Sequence, residues 1–275
     1  KSELAQAEII LGSVKIARRE EVPKLRWMQL PHAGAEGFVD SPREIIITTG
    51  AGVYGIPIAE HLFAMMLALT RGLNVSIRAM AHAAWRQELS FLELDGATVG
   101  VIGLGDIGRQ FSKRATAFGM RVLAVKRTPG EAPPYVHQLV GLDQLDWVLE
   151  QSDHVVISLP GTVHTRHLFS AQRLARIKPG AFIYNVGRGI VIDQIALIQA
   201  LRTGRIAGAG LDVFETEPLP ADSPLWRMPN VIITPHCSGL SPRRDERVVA
   251  LFLENLSRYM SGKPMRNQFR HELGY

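Results

Sequence analysis

The sequence predicts an α/β fold: a doubly wound parallel sheet accompanied by a second, smaller and discontinuous α/β domain. Three observations predict it. From Thr98 onward, short β-branched and apolar runs alternate with amphipathic helical stretches, as in βαβ units whose helices cover both faces of a parallel sheet. The first of these runs turns into its helix through glycines, in the stretch VGVIGLGDIG at residues 99–108. Shorter runs of the same kind precede it, so residues 55–240 read as one domain and residues 1–54 with 241–275 as the other.

With 275 residues and 46% hydrophobic content, the chain can bury one large core or two modest ones. Lys and Arg number 31 against 26 Asp and Glu. The excess is scattered rather than gathered along a nucleic-acid track, which suits small anions and excludes a nucleic-acid partner. A single cysteine, Cys237, excludes an intrachain disulfide, argues against a thiolate metal site and suits a reducing cytoplasm. The longest apolar helical stretch, Ile56 to Leu69, is too short to cross a bilayer and contains Glu60 and His61; no signal peptide is read, and no membrane partner is expected.

In chain order, EIILGSV, LRWMQLPHAGAEG and EIIITTG read as strands separated by short helical stretches such as Ile16 to Val22, giving a small parallel sheet. Gly12, Ser13 and Val14, and likewise Ala33, Gly34 and Ala35, fall at strand C-terminal ends, where open α/β sheets bind ligands. Their amides either hold a carboxylate or form two ordinary glycine turns. PIAEHLFAMMLALTRGL is a helix beginning at Pro57, apolar nearly all round and therefore in need of cover on most sides; it crosses between domains, packs on a second subunit, or does both. The segment Ala79 to Phe91 carries no readable motif.

Thr98 to Ile102 then forms the strand that feeds Gly103, Gly105 and Gly108 at G-x-G-x-x-G spacing. The first glycine permits the turn, the second lets the backbone approach a pyrophosphate, and the third brings helix Arg109 to Phe118 onto its strand. Unpaired N–H groups and the positive dipole end at that helix start favour an anion. RVLAV at 121–125 completes the βαβ unit, and at its tip stand Lys126, Arg127 and Thr128, where an NAD-selective site places a carboxylate. Read as ligands, these cations take up a 2′-phosphate and lean the site towards NADP, with NAD admitted; read otherwise, they are solvated loop charges.

Further on, LDQLDWVLEQS is a helix, HVVISLP a strand ending at Ser158, Leu159 and Pro160, SAQRLARIKPG a helix, and AFIYNVGRG a strand with its loop. IVIDQIALIQALRTG is a helix ending at Gly204, IAGAGLDVF and VIITPH are strands, and SPRRDERVVALFLENLSRYMSG closes the chain as a helix. Arg188, Glu217 and His236 fall beyond the ends of three consecutive late strands and point to one crevice. Reduction of a keto group beside a carboxylate needs a cation to hold the anion, an acid to protonate the oxygen and a group to orient that acid. Arg188 offers the planar fork, His236 a proton near neutral pH, and Glu217 the carboxylate that fixes the imidazole. The other histidines, His32, His61, His82, His137, His154, His164, His167 and His271, lack such company in the sequence and take no role.

With GLGDIG (103–108), SLPGTVHTRHLF (158–169), KPGAFIYNVGRGIVID (178–193), GLDVFETEPLP (210–220) and PNVIITPHCSG (229–239) together, the chain resembles the D-isomer-specific 2-hydroxyacid dehydrogenase family. Lys126 to Thr128 and SPLWRMPN (223–230) resemble its glyoxylate/hydroxypyruvate reductase branch. The resemblance implies a Rossmann dinucleotide-binding domain with a flavodoxin-like substrate domain, the substrate lying in the cleft between them. It implies Arg188 as the substrate-binding arginine, Glu217 as the partner of the histidine, and His236 as acid/base. It further implies cofactor contacts from Asp106, Ile107, Leu159, Pro160, Thr165, Val186 and Gly187, with Asp212 and the segment His236 to Gly239, including Ser238, beside the nicotinamide. Members usually carry a further strand and helix ahead of AEIILGS, so the smaller domain is expected to be short by its first βα unit, and the regulatory domain of some phosphoglycerate dehydrogenases has no counterpart in the sequence.

The reading is a homodimeric oxidoreductase that passes a hydride between NAD(P)H and a small 2-keto or D-2-hydroxy acid, with Gly12 to Val14, Ala33 to Ala35, Arg188 and His236 on the substrate. The rivals are a nucleotide-sensing co-repressor of the same family, which keeps the same three polar residues, and an inactive shortened homologue that binds NADP alone. Turnover on keto acids separates the three.

Overall fold

A computed structural model describes residues 2–16, 18–87, 91–272 and 274. The chain divides into two compact units, Lys1–Tyr54 with Leu240–Tyr275, and Gly55–Gly239.

The smaller unit opens with a short helix, α1 (Ser2–Gln6), and contains the parallel strands β1 (Ile9–Leu11), β2 (Trp27–Gln29) and β3 (Ile46–Thr48), hydrogen-bonded in that order. All three are short because their apolar runs are short; each ends in a polar or glycine-containing loop. The expected helical stretch Ile16 to Val22 is instead a single 3-10 turn at Arg19–Glu21, with Ala17 outside the described residues. So short a segment running into Pro23 cannot offset the cost of helix nucleation.

The larger unit begins with α2 (Gly55–Thr70) and α3 (Leu73–Met80), separated at Gly72, which takes φ 65°. Its sheet follows: β4 (Thr98–Ile102), α4 (Asp106–Ala117), β5 (Arg121–Val125), β6 (Gln138–Val140), α5 (Leu145–Gln151), β7 (His154–Ile157), α6 (Ala171–Leu174), β8 (Ala181–Asn185), α7 (Gln194–Arg202), β9 (Ile206–Leu211) and β10 (Val231–Ile233). Among the described residues the seven strands are all parallel, in the order β10-β9-β8-β7-β4-β5-β6. The chain winds outward from β4 through β5 and β6, then returns to the other side of β4 at β7. That reversal leaves a crevice beyond the C-terminal ends of β4 and β7, where such sheets hold ligands.

Three elements depart from the sequence reading. SAQRLARIKPG yields only the one-turn α6, capped by Ser170 and curtailed as the chain nears Pro179, which disfavours helix at the preceding residue. IVIDQIALIQALRTG becomes helical only at Gln194, because the Asp193 carboxylate accepts from Ala196 N (3.0 Å) and sets the start there. An edge strand, β6, forms where the sequence shows no strand signal.

α2 finds its cover inside its own unit, against α4 and β9. Phe63 stacks on Phe111 and Phe118 at 4.8 and 4.9 Å, and a side chain at Gly210 of β9 would strike Met65. No single helix among the described residues is long and apolar enough to cross a membrane; α2 and α3 approach that only as a pair bent by 74°. The main core of this unit joins Ile102, Leu123, Val155, Ile157, Ile183 and Ile206 of the sheet to Val148 of α5, Leu174 of α6 and Leu197 of α7.

The last helix, α8 (Arg244–Met260), belongs to the smaller unit. Fully buried Trp27 stacks on its Phe252 and Tyr259 at 5.2 and 5.6 Å. Trp27 Nε1 donates to Thr48 Oγ1, Thr48 Oγ1 to Gln29 Oε1, and Asn255 Nδ2 to the same oxygen, all at 2.8–2.9 Å. The buried polar groups thereby satisfy one another, the condition for keeping them in a core.

Candidate functional site

The glycine loop between β4 and α4 carries three distinct backbone requirements. Gly103 has φ +103°, a conformation side chains avoid, and a Cβ there would lie 2.9 Å from Ser158 O. A Cβ at Gly108 would lie 2.2 Å from Gly103 O, so the helix can approach its strand only without a side chain. Gly105 has open space on its side-chain side, nothing lying within 4 Å. A tight turn, an open approach and a close helix contact, at the N-terminus of a twelve-residue helix, fit a dinucleotide pyrophosphate. Asp106 and Ile107 open that helix, with the Asp106 carboxylate against Gly55 at the start of α2.

The neighbouring loops close on the same strand ends. Ser158 Oγ donates to Gly103 O (2.8 Å), Thr165 Oγ1 donates to Pro160 O (2.7 Å), and a Cβ at Gly187 would lie 2.5 Å from Leu159 O. Val186 N donates to Ile157 O at 3.1 Å. The structure thus gathers Gly103, Leu159, Pro160, Thr165, Val186 and Gly187 around the switch point. Lys126, Arg127 and Thr128 leave the tip of β5, where Lys126 N donates to Val140 O (3.0 Å), and Arg127 and Thr128 are exposed.

Arg188 is placed by Asn185, the fully buried last residue of β8. Its Oδ1 accepts from Gly187 N (3.1 Å) and its Nδ2 donates to Arg188 O (3.0 Å), while Arg188 Nη1 donates to Gly187 O (2.8 Å). Gly189 then lies so close to the chain after β9 that a Cβ would fall 1.8 Å from Phe214 C. In that second loop Phe214 N donates to Glu217 Oε1 (3.0 Å), and the other carboxylate oxygen, Oε2, meets His236 Nδ1 at 2.7 Å. Backbone contact and two hydrogen bonds therefore connect Arg188, Glu217 and His236 from the ends of β8, β9 and β10. An ionised carboxylate only accepts, so Nδ1 carries the hydrogen and Nε2 is left to give or take a proton. An apolar cavity of about 400 Å³ lies beside the pair, lined by Phe214, Leu219, Trp226, Ile233 and Pro235. A larger open groove of about 720 Å³ around Arg202, Asp222 and Arg227 shares none of these residues.

His236 takes φ 51°, and its N–H bonds to Asp212 O (2.9 Å) and Thr234 O (3.0 Å). Asp212 is wholly buried. Its Oδ1 accepts from Thr234 Oγ1 (2.6 Å) and Cys237 N (2.9 Å), and its Oδ2 from Ser238 N (3.1 Å). Asp212 and Ser238 therefore shape the turn that carries His236 and leads to Gly239. Burial pushes the neighbouring Cys237 thiol up, away from the reactive thiolate. Among the described residues, no group of three or more His, Cys, Asp or Glu side chains is arranged to hold a metal.

In the smaller unit, Gly12, Ser13 and Val14 follow β1, and Ala33, Gly34 and Ala35 lie a few residues beyond β2, which pairs with it. His32 ties the two loops: Nδ1 meets Gly34 O at 2.6 Å and Nε2 meets Ser13 Oγ at 3.1 Å. Other histidines set aside on sequence have partners in the larger unit, and two of them meet side chains on distant loops. His167 Nε2 meets Glu215 Oε1 at 2.6 Å, and His61 Nε2 meets Thr234 Oγ1 at 2.9 Å, across 173 residues of chain. No local spacing could have signalled either contact.

A family model described as "D-isomer specific 2-hydroxyacid dehydrogenase, NAD binding domain" matches residues 63–238. A glyoxylate reductase of Korarchaeum cryptofilum is 35% identical over 265 residues, covering 92% of this chain and 79% of its own. A glyoxylate/hydroxypyruvate reductase B of Shigella boydii is 35% identical over 275 residues, covering 96% of this chain and 84% of its own. Among solved structures, a D-isomer specific 2-hydroxyacid dehydrogenase from Xanthobacter autotrophicus Py2, in complex with NADPH and MES, superimposes with a TM-score of 0.85 at 34% identity, covering 97% of this chain and 85% of its own. The glycine loop, the loops ending β7 to β10 and these matches agree, and the chain belongs to the D-isomer specific 2-hydroxyacid dehydrogenase family.

Proposed function

We propose that this oxidoreductase reduces glyoxylate or hydroxypyruvate to the corresponding 2-hydroxy acid, with NADPH preferred over NADH. The observation that carries the reading is the Glu217–His236 pair, held at the ends of β9 and β10 in continuity with the Arg188 loop. Gly103, Gly105, Asp106, Ile107 and Gly108, with Leu159, Pro160, Thr165, Val186 and Gly187, would hold the nicotinamide dinucleotide of the family. Held there, a reduced nicotinamide would supply the hydride for the new C–H bond at the keto carbon. His236 Nε2 gives its proton to the keto oxygen as negative charge develops, and Glu217, 2.7 Å from Nδ1, keeps the imidazole aimed. Arg188 holds the carboxylate through its planar fork and polarises the carbonyl. Amides of Gly12 to Val14 and Ala33 to Ala35, drawn together by His32, are offered to a carboxylate in the smaller unit.

The NADPH preference rests on Lys126, Arg127 and Thr128, where a carboxylate would repel a 2′-phosphate. Initial rates on glyoxylate, hydroxypyruvate, pyruvate and phenylpyruvate with each cofactor test the reading. Turnover of the first two with NADPH favoured, and loss of that preference in Arg127→Ser, is the expected result. Equal use of NADH by the unsubstituted chain would remove the role given to these three residues, and absence of turnover on all four acids would remove the substrate assignment.

A homodimer is proposed on a different helix from the one the sequence suggests. α2 is covered within its own unit, whereas α3 and the segment after it expose Leu73 (49%), Ile77 (63%), Met80 (76%) and Trp85 (90%). Asn74 and Arg78 anchor this helix by donating to backbone carbonyls at Pro229 and Met228 (2.9 and 3.1 Å), leaving its apolar face outward for a second copy. Sedimentation should give a dimer that Ile77→Asp converts to monomer; a monomeric unsubstituted chain at micromolar concentration would contradict it. A reducing compartment such as the cytoplasm suits the single Cys237.

A further inference from the structure

The acid/base histidine is carried on a strained turn, and the turn is braced by a line of hydrogen bonds that begins on a different element. His236 has φ 51°, a left-handed conformation that favours glycine, so surrounding contacts must hold it there. Those contacts converge on Asp212. Its carbonyl accepts from His236 N, and its buried carboxylate accepts from Cys237 N and Ser238 N, the next two amides of the same turn. The remaining donor to that carboxylate is Thr234 Oγ1, at 2.6 Å. Since the Thr234 hydroxyl hydrogen is committed to Asp212, its oxygen is left as an acceptor, and His61 Nε2 donates to it from the second turn of α2 at 2.9 Å. His61 is half-buried on a helix that packs on β9, the strand that leads directly into Asp212.

We propose that His61, acting through Thr234 and Asp212, is a positioning residue that sets the orientation of His236. It touches neither reacting atom; it orders the donors around Asp212 so that the His236 turn keeps its left-handed geometry and Nε2 its aim. The proposal rests on reading His236 as the proton donor. Because the line has one direction, from His61 N–H to the Thr234 hydroxyl to the Asp212 carboxylate, each link has a distinct conservative replacement. Gln at position 61 presents an amide N–H near the place of Nε2, and Ser at position 234 keeps the hydroxyl.

The test is a set of variants of the full chain, His61→Leu, His61→Gln, Thr234→Val, Thr234→Ser, the double His61→Leu/Thr234→Val, and His236→Ala, assayed for kcat and KM with glyoxylate and NADPH. NADPH binding is read in parallel by fluorescence titration, which also reports that each variant is folded. The expected result is a fall of about tenfold in kcat for His61→Leu and for Thr234→Val, the scale of one hydrogen bond to a charged group, with NADPH affinity within about twofold. His61→Gln and Thr234→Ser should recover most of the loss, and the double variant should be no worse than Thr234→Val alone, because both break one line. Full kcat in His61→Leu, failure of His61→Gln to recover, or additive losses in the double variant would each overturn the proposal while His236→Ala remains inactive. Turnover retained by His236→Ala would instead overturn the proton-donor reading, and this proposal with it.

Discussion

Two histidine–glutamate pairs lie in the larger unit, their glutamates two residues apart, and their carboxylates hold different partners. His236 meets Glu217 through Nδ1 at 2.7 Å, and His167 meets Glu215 through Nε2 at 2.6 Å. Both are partly open to solvent, with histidine side chains 49% and 39% exposed. Glu217 is itself oriented by one amide, Phe214 N, so its carboxylate serves chiefly to orient the imidazole. Glu215 also accepts from Gln194 N at the start of α7 (3.4 Å), and His167, at φ 47°, donates its own N–H to Ile190 O (2.8 Å). That pair ties together the loops that follow β7, β8 and β9. A histidine beside a carboxylate is thus built into two different settings in one unit. The ring nitrogen left over, and what else the carboxylate holds, distinguish the two.

The sharpest way to break this comparison is to neutralise each glutamate. Glu217→Gln should lower kcat by about 100-fold, the scale of a misdirected general acid, whereas Glu215→Gln should leave kcat within about twofold. Glu215→Gln should instead lower the melting temperature by about 2 °C, as loss of roughly 1 kcal/mol does in a chain of this size. Equal kinetic losses in the two variants would erase the distinction drawn here.

A third histidine extends the comparison to a ring with no carboxylate partner inside the sheet. His154 is 2% exposed, stacked on Phe182 and Tyr184, with Nδ1 3.2 Å from Tyr184 Oη. Burial holds its pKa down at about 4 from the ordinary 6.5, against a smaller opposing pull from Asp153. The folded state keeps this ring neutral while the unfolded chain protonates it below pH 6.5. Its contribution is thus intact above pH 6.5, declines as pH falls and is lost by about pH 4, amounting to on the order of 3 kcal/mol. Urea unfolding of the unsubstituted chain and of His154→Gln checks it. The stability difference between them should shift by that order, against the unsubstituted chain, between pH 7 and pH 4; a constant difference would place the acid sensitivity elsewhere.

The fold is legible in the sequence because its signals are local. Alternating apolar runs and helices give the sheet, and three glycines within six residues give the loop whose backbone demands the structure makes explicit at Gly103, Gly105 and Gly108. Arg188, Glu217 and His236 are legible as strand-end residues for the same reason, since each follows its strand within a few positions. What braces them is not. Gly189 matters because Phe214 backbone presses on it, and His61 reaches Thr234 across 173 residues, contacts no periodicity encodes. The start of α7 is missed for a different reason: IVID looks like helix until the Asp193 side chain caps the Ala196 amide. His167 looks unaccompanied because its partner, Glu215, comes 48 positions later on another loop.

One paired measurement bears most directly on the central claim, that the nitrogen left over on His236 delivers the proton. Steady-state reduction of glyoxylate with NADPH is compared for the unsubstituted chain, His236→Ala and His167→Ala, with NADPH binding titrated for all three. The account predicts a loss of about a thousandfold in kcat for His236→Ala with NADPH still bound, and near-normal kcat for His167→Ala. A His236→Ala variant that turns over within tenfold of the unsubstituted chain, or a His167→Ala variant that loses as much while remaining folded and NADPH-bound, would contradict it.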